Sequence, residues 1–195
     1  LEFRRVLFRS LATLQAAVQP VLSINGNVAA LACDEMLRLA NVLDCPVEVN
    51  IFYRTPERME AILAHMNERK SALGLDVVIY GDAPDATIPG LKGPRAACHK
   101  DGILDADAIL VPLEDGDRCQ ALVAMKKDVI VIDLNPLSRS AQQASITIVD
   151  ELSRALNNML EIAHGEGRIL RDPAYNHQSI LNEGLSEMLQ TLRTA

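Results

Sequence analysis

The sequence predicts an α/β fold: an open, doubly wound, mainly parallel sheet with helices on both faces. Two observations carry this. Short β-branched runs alternate with longer helical patterns, and the runs are apolar almost throughout, without in–out alternation. Strands covered on both faces by helices read that way, and strand–helix alternation implies parallel strands joined by crossovers. The length of 195 residues suits one domain, since domains run to roughly 100–200 residues.

The strands are expected at residues 21–25, 47–52, 77–80, 108–111, 129–134 and 146–149. Between the first two, Val28, Ala32, Met36, Leu39, Ala40 and Leu43 line one face of a helix. The next helix opens with Thr55 as N-cap and Pro56 at its first position, shows Met59, Ile62, Leu63 and Met66 to the core, and ends at Gly74. Residues 83–100 are rich in Pro and Gly and read as a long loop. Leu152, Leu156, Met159, Leu160 and Ala163 form a further stripe. Residues 165–173 read as a joint, and Leu181, Leu185, Met188, Leu189 and Leu192 form a last stripe, expected to pack in the core.

Residues 1–10 (LEFRRVLFRS) fit none of these elements. They read as translated adaptor or vector sequence and are left outside the fold, with residues 11–195 as the domain. Arg9 breaks any signal-peptide pattern, and the uncharged stretch 11–33 is interrupted by Gln15, Gln19, Pro20, Asn25 and Asn27. No membrane span is therefore expected.

Composition narrows the function. A formal net charge of −7 argues against a nucleic-acid partner, and 3% aromatics with no Trp argue against a base-stacking platform. Cys33, Cys45, Cys98 and Cys119 form neither a Cys-x-x-Cys pair nor a zinc spacing, and read as reduced thiols of a cytoplasmic protein. Cys98 next to His99 is not read as a nucleophile and base, because neighbours on a chain rarely face each other.

In an open α/β sheet, ligands bind beyond the carboxyl ends of the strands. Polar residues recur there: Ser23, Asn25, Gly26 and Asn27 after the first strand, Asn50, Tyr53 and Arg54 after the second, Glu114, Asp115, Asp117 and Arg118 after the fourth, and Asp133, Asn135, Ser138, Arg139 and Ser140 after the fifth. Neither Gly-x-Gly-x-x-Gly nor a P-loop is present, which weakens a nicotinamide dehydrogenase reading. An acidic protein that binds a polyanion must gather cations locally. Arg54, Arg118 and Arg139 stand at strand-end loops, with acids close by, as where Mg²⁺ bridges carboxylate and phosphate. The plainer reading of the same residues is turn and cap chemistry.

Residues 21–31 (VLSINGNVAAL), 48–58 (EVNIFYRTPER), 111–118 (VPLEDGDR) and 133–150 (DLNPLSRSAQQASITIVD) resemble the archaeal phosphopantothenate synthetase family, 4-phosphopantoate–β-alanine ligases, from about residue 11 to the end. The resemblance implies a cytosolic homodimer with a Rossmann-like core, an open, mainly parallel sheet with helices on both faces, acting in coenzyme A biosynthesis. It would join 4-phosphopantoate to β-alanine with ATP and Mg²⁺ and release AMP and diphosphate. It also implies ATP contacts at Asp133, Leu134, Asn135, Arg139, Ser140, Glu151 and Leu152. Chemistry alone adds Asn25, Asn27 and Arg54 as holders of the pantoate end, and Glu114 or Asp117 as holder of Mg²⁺ or of the β-alanine ammonium. Asp133 and Asn135 are expected to hold ribose or metal.

Two departures from the family pattern stand out. The family's N-terminal region, with an Arg in a Gly-Arg-Gly-Glu-like motif, has no counterpart here, so this chain is expected to bind ligands weakly or not turn over. Glu151-Leu152 replaces the more usual Asn-Val. A backbone contact there tolerates the change, and a side-chain contact to adenine does not. The alternative function is a non-catalytic nucleotide-binding or oligomerising α/β module.

Overall fold

The computed structural model describes residues 2–165, 169–171 and 173–194. Six strands form one parallel sheet: β1 (Pro20–Ile24), β2 (Val47–Val49), β3 (Ile79–Tyr80), β6 (Ala108–Leu110), β7 (Asp128–Ile132) and β8 (Ile146–Ile148). Their order is β3-β2-β1-β6-β7-β8, and every pairing is parallel. All six expected strands are present, each one to three residues shorter than its apolar run or shifted by one. β4 (Ala86–Thr87) and β5 (Ala97–Cys98) form a separate antiparallel pair within the stretch expected to be loop.

Period-two alternation sends neighbouring side chains to opposite faces, and here both faces are buried. Leu22, Ile24, Leu110, Ile130, Ile132 and Ile148 enter one core with the helices α1 (Glu2–Ala16), α3 (Cys33–Leu43) and α7 (Leu152–Gly165). Val21, Ile109, Val111, Val129 and Val131 enter the other, against α5 (Gly116–Ala124) and Ile103 of a π-type turn at Lys100–Leu104. This double coverage is why the strands read as continuous apolar runs.

Caps fix the helix starts. Asn25 caps α2 (Gly26–Leu31), Thr55 caps α4 (Pro56–Ala72) ahead of Pro56, and Ser138 caps α6 (Arg139–Gln143). Gly74 takes the left-handed conformation after α4, with φ 64°, as a C-terminal glycine should.

Four expectations are corrected. Of residues 1–10, set outside the fold, those from Glu2 on supply the first turns of α1, and Val6, Leu7 and Ser10 are buried. Their apolar spacing completes a stripe with Leu11 and Leu14. The helix expected from Val28 to Leu43 breaks at Ala32, whose φ of −150° is not helical. The last stripe lies on α8 (His177–Thr194), but among its described side chains Leu181 is buried, Leu185 is half-buried, and Met188 and Leu189 are exposed. Among the described residues α8 meets the sheet at β8, the edge strand. The loop at 83–100 is folded, as above. The expected joint at 165–173 lies partly outside the described residues.

Candidate active site at the carboxyl rim of the sheet

β1 and β6 are neighbours, yet the chain leaves β1 toward β2 and leaves β6 toward β7. The sheet's topological switch point therefore lies between them, where α/β folds place ligands. Asn25 closes the base of this crevice. Its Nδ2 donates to the carbonyls of Pro112 at 3.0 Å and Leu113 at 3.1 Å, and its Oδ1 accepts from the N–H groups of Asn27 and Val28, both at 3.0 Å. Every hydrogen-bonding position of this side chain is thus used inside the fold. Leu113 has φ 52°, a left-handed conformation that costs a non-glycine residue about 1–2 kcal/mol. Strain of that kind recurs at functional loops.

Next along the chain, Glu114 is the anchor of a buried charge cluster. Arg95 reaches its carboxylate at 2.7 and 2.8 Å, Arg118 Nη1 pairs with it, and the Asp115 N–H donates to it at 2.8 Å. Arg118 is 0% exposed and spends Nη2 on Ser23 Oγ at 3.0 Å. Asp115 pairs with Arg95 and caps α5 by accepting from the Arg118 N–H at 2.8 Å. Two arginines meet two carboxylates, and with Asp115 half-exposed this balance is what permits the burial of Arg95, Glu114 and Arg118. Burial alone would raise the Asp115 carboxyl, but the Arg118 N–H and the Arg95 charge hold it below the ordinary aspartate value. Asn50, fully buried, donates to the carbonyls of Arg95 and Ala97 at 3.2 and 2.9 Å and so fixes the segment that delivers Arg95.

The rim continues across α5 to α6. Asp117, on the first turn of α5, pairs with Arg139, on the first turn of α6, and the two side chains are 72% and 67% exposed. The helix starts are in contact: a Cβ on Gly116 would lie 2.5 Å from Arg139 Cβ, so only glycine fits. Asp133, at the end of β7, accepts from Ser138 Oγ, from Ser140 Oγ at 3.1 Å and from the Asn135 N–H at 2.9 Å. Leu134 stands exposed beside it. Beyond β8, Glu151 is exposed and accepts from the Ser153 and Arg154 N–H groups, both at 2.9 Å, which hold its carboxyl below the ordinary value. Leu152 is buried, so it offers the rim only its backbone.

The expected site residues therefore separate into three groups. Asp117, Asp133, Asn135, Arg139 and Ser140 come together on one stretch of rim, with Leu134 and Glu151 beside strand ends of the same edge. Glu114 and Arg118 are consumed inside the fold: the Glu114 carboxylate is filled by two guanidiniums and an N–H, and leaves no position for Mg²⁺ or an ammonium. Arg54 donates to the Gly81 carbonyl and lines a different cleft of about 570 Å³ along α4, away from the switch point. Asn25 is likewise spent as a clasp.

A larger cavity, about 720 Å³, lies against α5, with Phe52, Leu91, Lys92, Arg95, Asp115 and Asp117 in its walls. Lys92 and Arg95 belong to the stretch read as loop, and no local pattern marked them. The four cysteines are free and buried, and burial pushes Cys98 up to about 11 and Cys119 up to about 12, which leaves little thiolate for chemistry. Among the described residues, no group of three His, Cys, Asp or Glu side chains could cage a metal, and no helix is long and apolar enough to cross a membrane.

Comparison with known proteins bears on the fold and the family. In fold, the chain is similar to a structure from Mycobacterium smegmatis described as a thiamin diphosphate-dependent enzyme, with a TM-score of 0.50 at 16% identity over 87% of this chain and 30% of that one. In sequence, it is 43% identical over 191 residues to the 4-phosphopantoate–β-alanine ligase of Methanosarcina mazei, covering 95% of this chain and 73% of the relative. It is 43% identical over 187 residues to the ligase of the same name from Thermococcus onnurineus, covering 93% of this chain and 70% of that protein. The phosphopantothenate/pantothenate synthetase profile matches residues 7–189, from inside α1 well into α8, and the chain belongs to that family.

Proposed function

We propose that the chain is an ATP-dependent ligase that condenses 4-phosphopantoate with β-alanine to 4′-phosphopantothenate, releasing AMP and diphosphate, in coenzyme A biosynthesis. The relatives' names support the reaction. The observation that carries it to particular residues is the meeting of the α5 and α6 starts at the carboxyl rim beyond β6 and β7, with Arg139 exposed beside the Asp133, Ser138 and Ser140 cluster. A nucleotide polyphosphate needs a cation and positioned polar groups beside it, and this stretch of rim offers the exposed Arg139 next to Asp133, which Ser138 and the buried Ser140 hold in place by donating to it.

In this reading Arg139 and Ser140 receive the ATP phosphates, while Asp133 and Asn135 hold the ribose. Leu134 and the backbone at Glu151 and Leu152 border the base. A backbone contact is compatible with Leu in place of Val. Mg²⁺ is held mostly by phosphates with one or two protein carboxylates. When bound, the ion would neutralise charge on the phosphates. The 4-phosphopantoate carboxylate attacks the α-phosphorus, and diphosphate leaves with the electron pair of the broken P–O bond. The β-alanine ammonium gives a proton to water, and the amine attacks the acyl carbon. The N–C bond forms as the C–O bond to AMP breaks, and the second amine proton goes to solvent. The protein's part is positioning and charge neutralisation.

A homodimer and a cytosolic setting complete the reading. The exposed Met188 and Leu189 on α8 suit pairing with a second copy, and four free thiols suit a reducing compartment. The deciding experiment supplies ATP, 4-phosphopantoate and β-alanine and follows nucleotide products. AMP that depends on both other substrates is expected. ADP would contradict the adenylate route. No AMP, from this chain or from one extended by an Arg-bearing Gly-rich N-terminal segment, would leave a nucleotide-binding module instead.

A further inference from the structure

The cavity against α5 has charges of both signs in its walls. Lys92 and Arg95 stand for the cations, Asp115 and Asp117 for the anions. Lys92 is exposed on a turn between Gly90 and Gly93, which take φ of 76° and 93°, conformations that suit glycine and set the turn's path. Arg95 is nine-tenths buried; its two Nη groups are committed to Glu114 and Asp115, and its Nε has no hydrogen-bond partner. Asp117 is shared: it faces this cavity and pairs with Arg139 of the adjoining rim.

Resting on the ligase reading above, we infer that this cavity is the acceptor subsite and takes the small zwitterionic amino acid, its ammonium toward Asp117 and its carboxylate toward Lys92. Three physical points carry this. The amine must attack an acyl group bonded to the α-phosphate, so its site must adjoin the phosphate site, and Asp117 is the residue common to both. The wall charges sum to zero, which suits a zwitterion. A phosphate dianion in the same place would lie against two carboxylates, a repulsion that selects against it. Phe52 adds an apolar wall that covers the carbon chain. The volume of about 720 Å³ exceeds what a three-carbon amino acid fills, which leaves room for the acyl end of its reaction partner.

Binding of β-alanine alone, followed through backbone amide shifts of the isotope-labelled chain, tests this without turnover. The expected result is saturable shifts at residues 90–95 and 115–121, weakened at least tenfold by Lys92→Ala and recovered by Lys92→Arg. In turnover, Lys92→Ala should raise KM for β-alanine at least tenfold and leave KM for ATP within twofold. Shifts elsewhere, no shifts at 20 mM β-alanine (about 2.3 kcal/mol of binding at that Kd), or an effect of Lys92→Ala on 4-phosphopantoate binding instead would overturn the assignment. The ligase reading is judged separately, by diphosphate exchange into ATP with 4-phosphopantoate and no β-alanine. Exchange with no β-alanine shifts sinks the subsite alone, whereas shifts without exchange keep the subsite and sink the reaction.

Discussion

Asp117 and Arg118 are adjacent on α5, yet Arg118 is 0% exposed and Asp117 is 72% exposed. Arg118 points into the fold, where Glu114 and Ser23 take its donors. Asp117 points along the rim, where Arg139 is its partner. The two clusters follow from one helix start and do different work. The buried one ties α5 to β1 and to the Arg95 segment. Its charges were desolvated on folding and cannot change partners without cost. The exposed pair costs little to form and little to break, since both groups keep most of their water. A ligand can therefore take Arg139 from Asp117 but cannot take Arg118 from Glu114. Charge at a strand-end loop is not by itself a binding group; charge whose present partner is weak is.

The largest expected effect comes from breaking the buried cluster. Glu114→Ala leaves the buried Arg118 without a carboxylate and takes from Arg95 the more buried of its two partners, and should cost about 3–5 kcal/mol in urea unfolding. A loss below about 1 kcal/mol would mean that water reaches the cluster, and the contrast with the rim would fail.

Glu48 extends the comparison to a buried carboxylate held by backbone rather than by arginine. It accepts from the His99 and Ile103 N–H groups at 3.0 and 2.7 Å, and a Cβ on Gly102 would lie 2.1 Å from its Oε2. Glu48 is pinned from two sides, so Gly102→Ala must displace it or the turn. The expected loss is about 1–3 kcal/mol, readable from the shift in urea midpoint.

The same two carboxylate settings give opposite pH slopes. Burial raises the Glu48 carboxyl above the ordinary glutamate value, more than its two N–H donors lower it. The folded chain then holds the proton more tightly than the unfolded one, so this stability is present at low pH and lost as pH rises through the raised value. Asp115 is shifted the other way. Its stability is present above the ordinary aspartate value and lost as pH falls through the lowered one. Unfolding free energy measured across acid to neutral pH should lose its upward-pH decline in Glu48→Gln and its downward-pH decline in Asp115→Asn. Parallel profiles for both variants would show that the two sites are not electrostatically distinct.

Much of the fold was legible because the signals were local. Both sheet faces are covered, so six apolar runs gave six strands, and Thr55, Pro56 and Gly74 marked the ends of α4 by their own chemistry. The break at Ala32 was not legible, since no Gly or Pro stands there. The stripe on α8 was read correctly as a helix face and wrongly as core, because periodicity shows that a face is apolar and not what covers it. The rim was half legible for the same reason. Arg54, Arg118 and Arg139 look alike along the chain. What separates them is a hydroxyl 95 residues away at Ser23, a carbonyl at Gly81, and a carboxylate at Asp117. Those are tertiary contacts, and no local pattern encodes them.

The smallest expected stability change carries the most weight for function. Arg139→Ala removes one partner of an exposed pair and should alter unfolding free energy by less than about 1 kcal/mol. If Arg139 is the rim's available cation, the same variant should bind ATP at least tenfold more weakly in calorimetric titration, a loss of about 1.4 kcal/mol or more. ATP affinity within twofold of the parent chain, with the fold intact, would contradict the assignment of the rim.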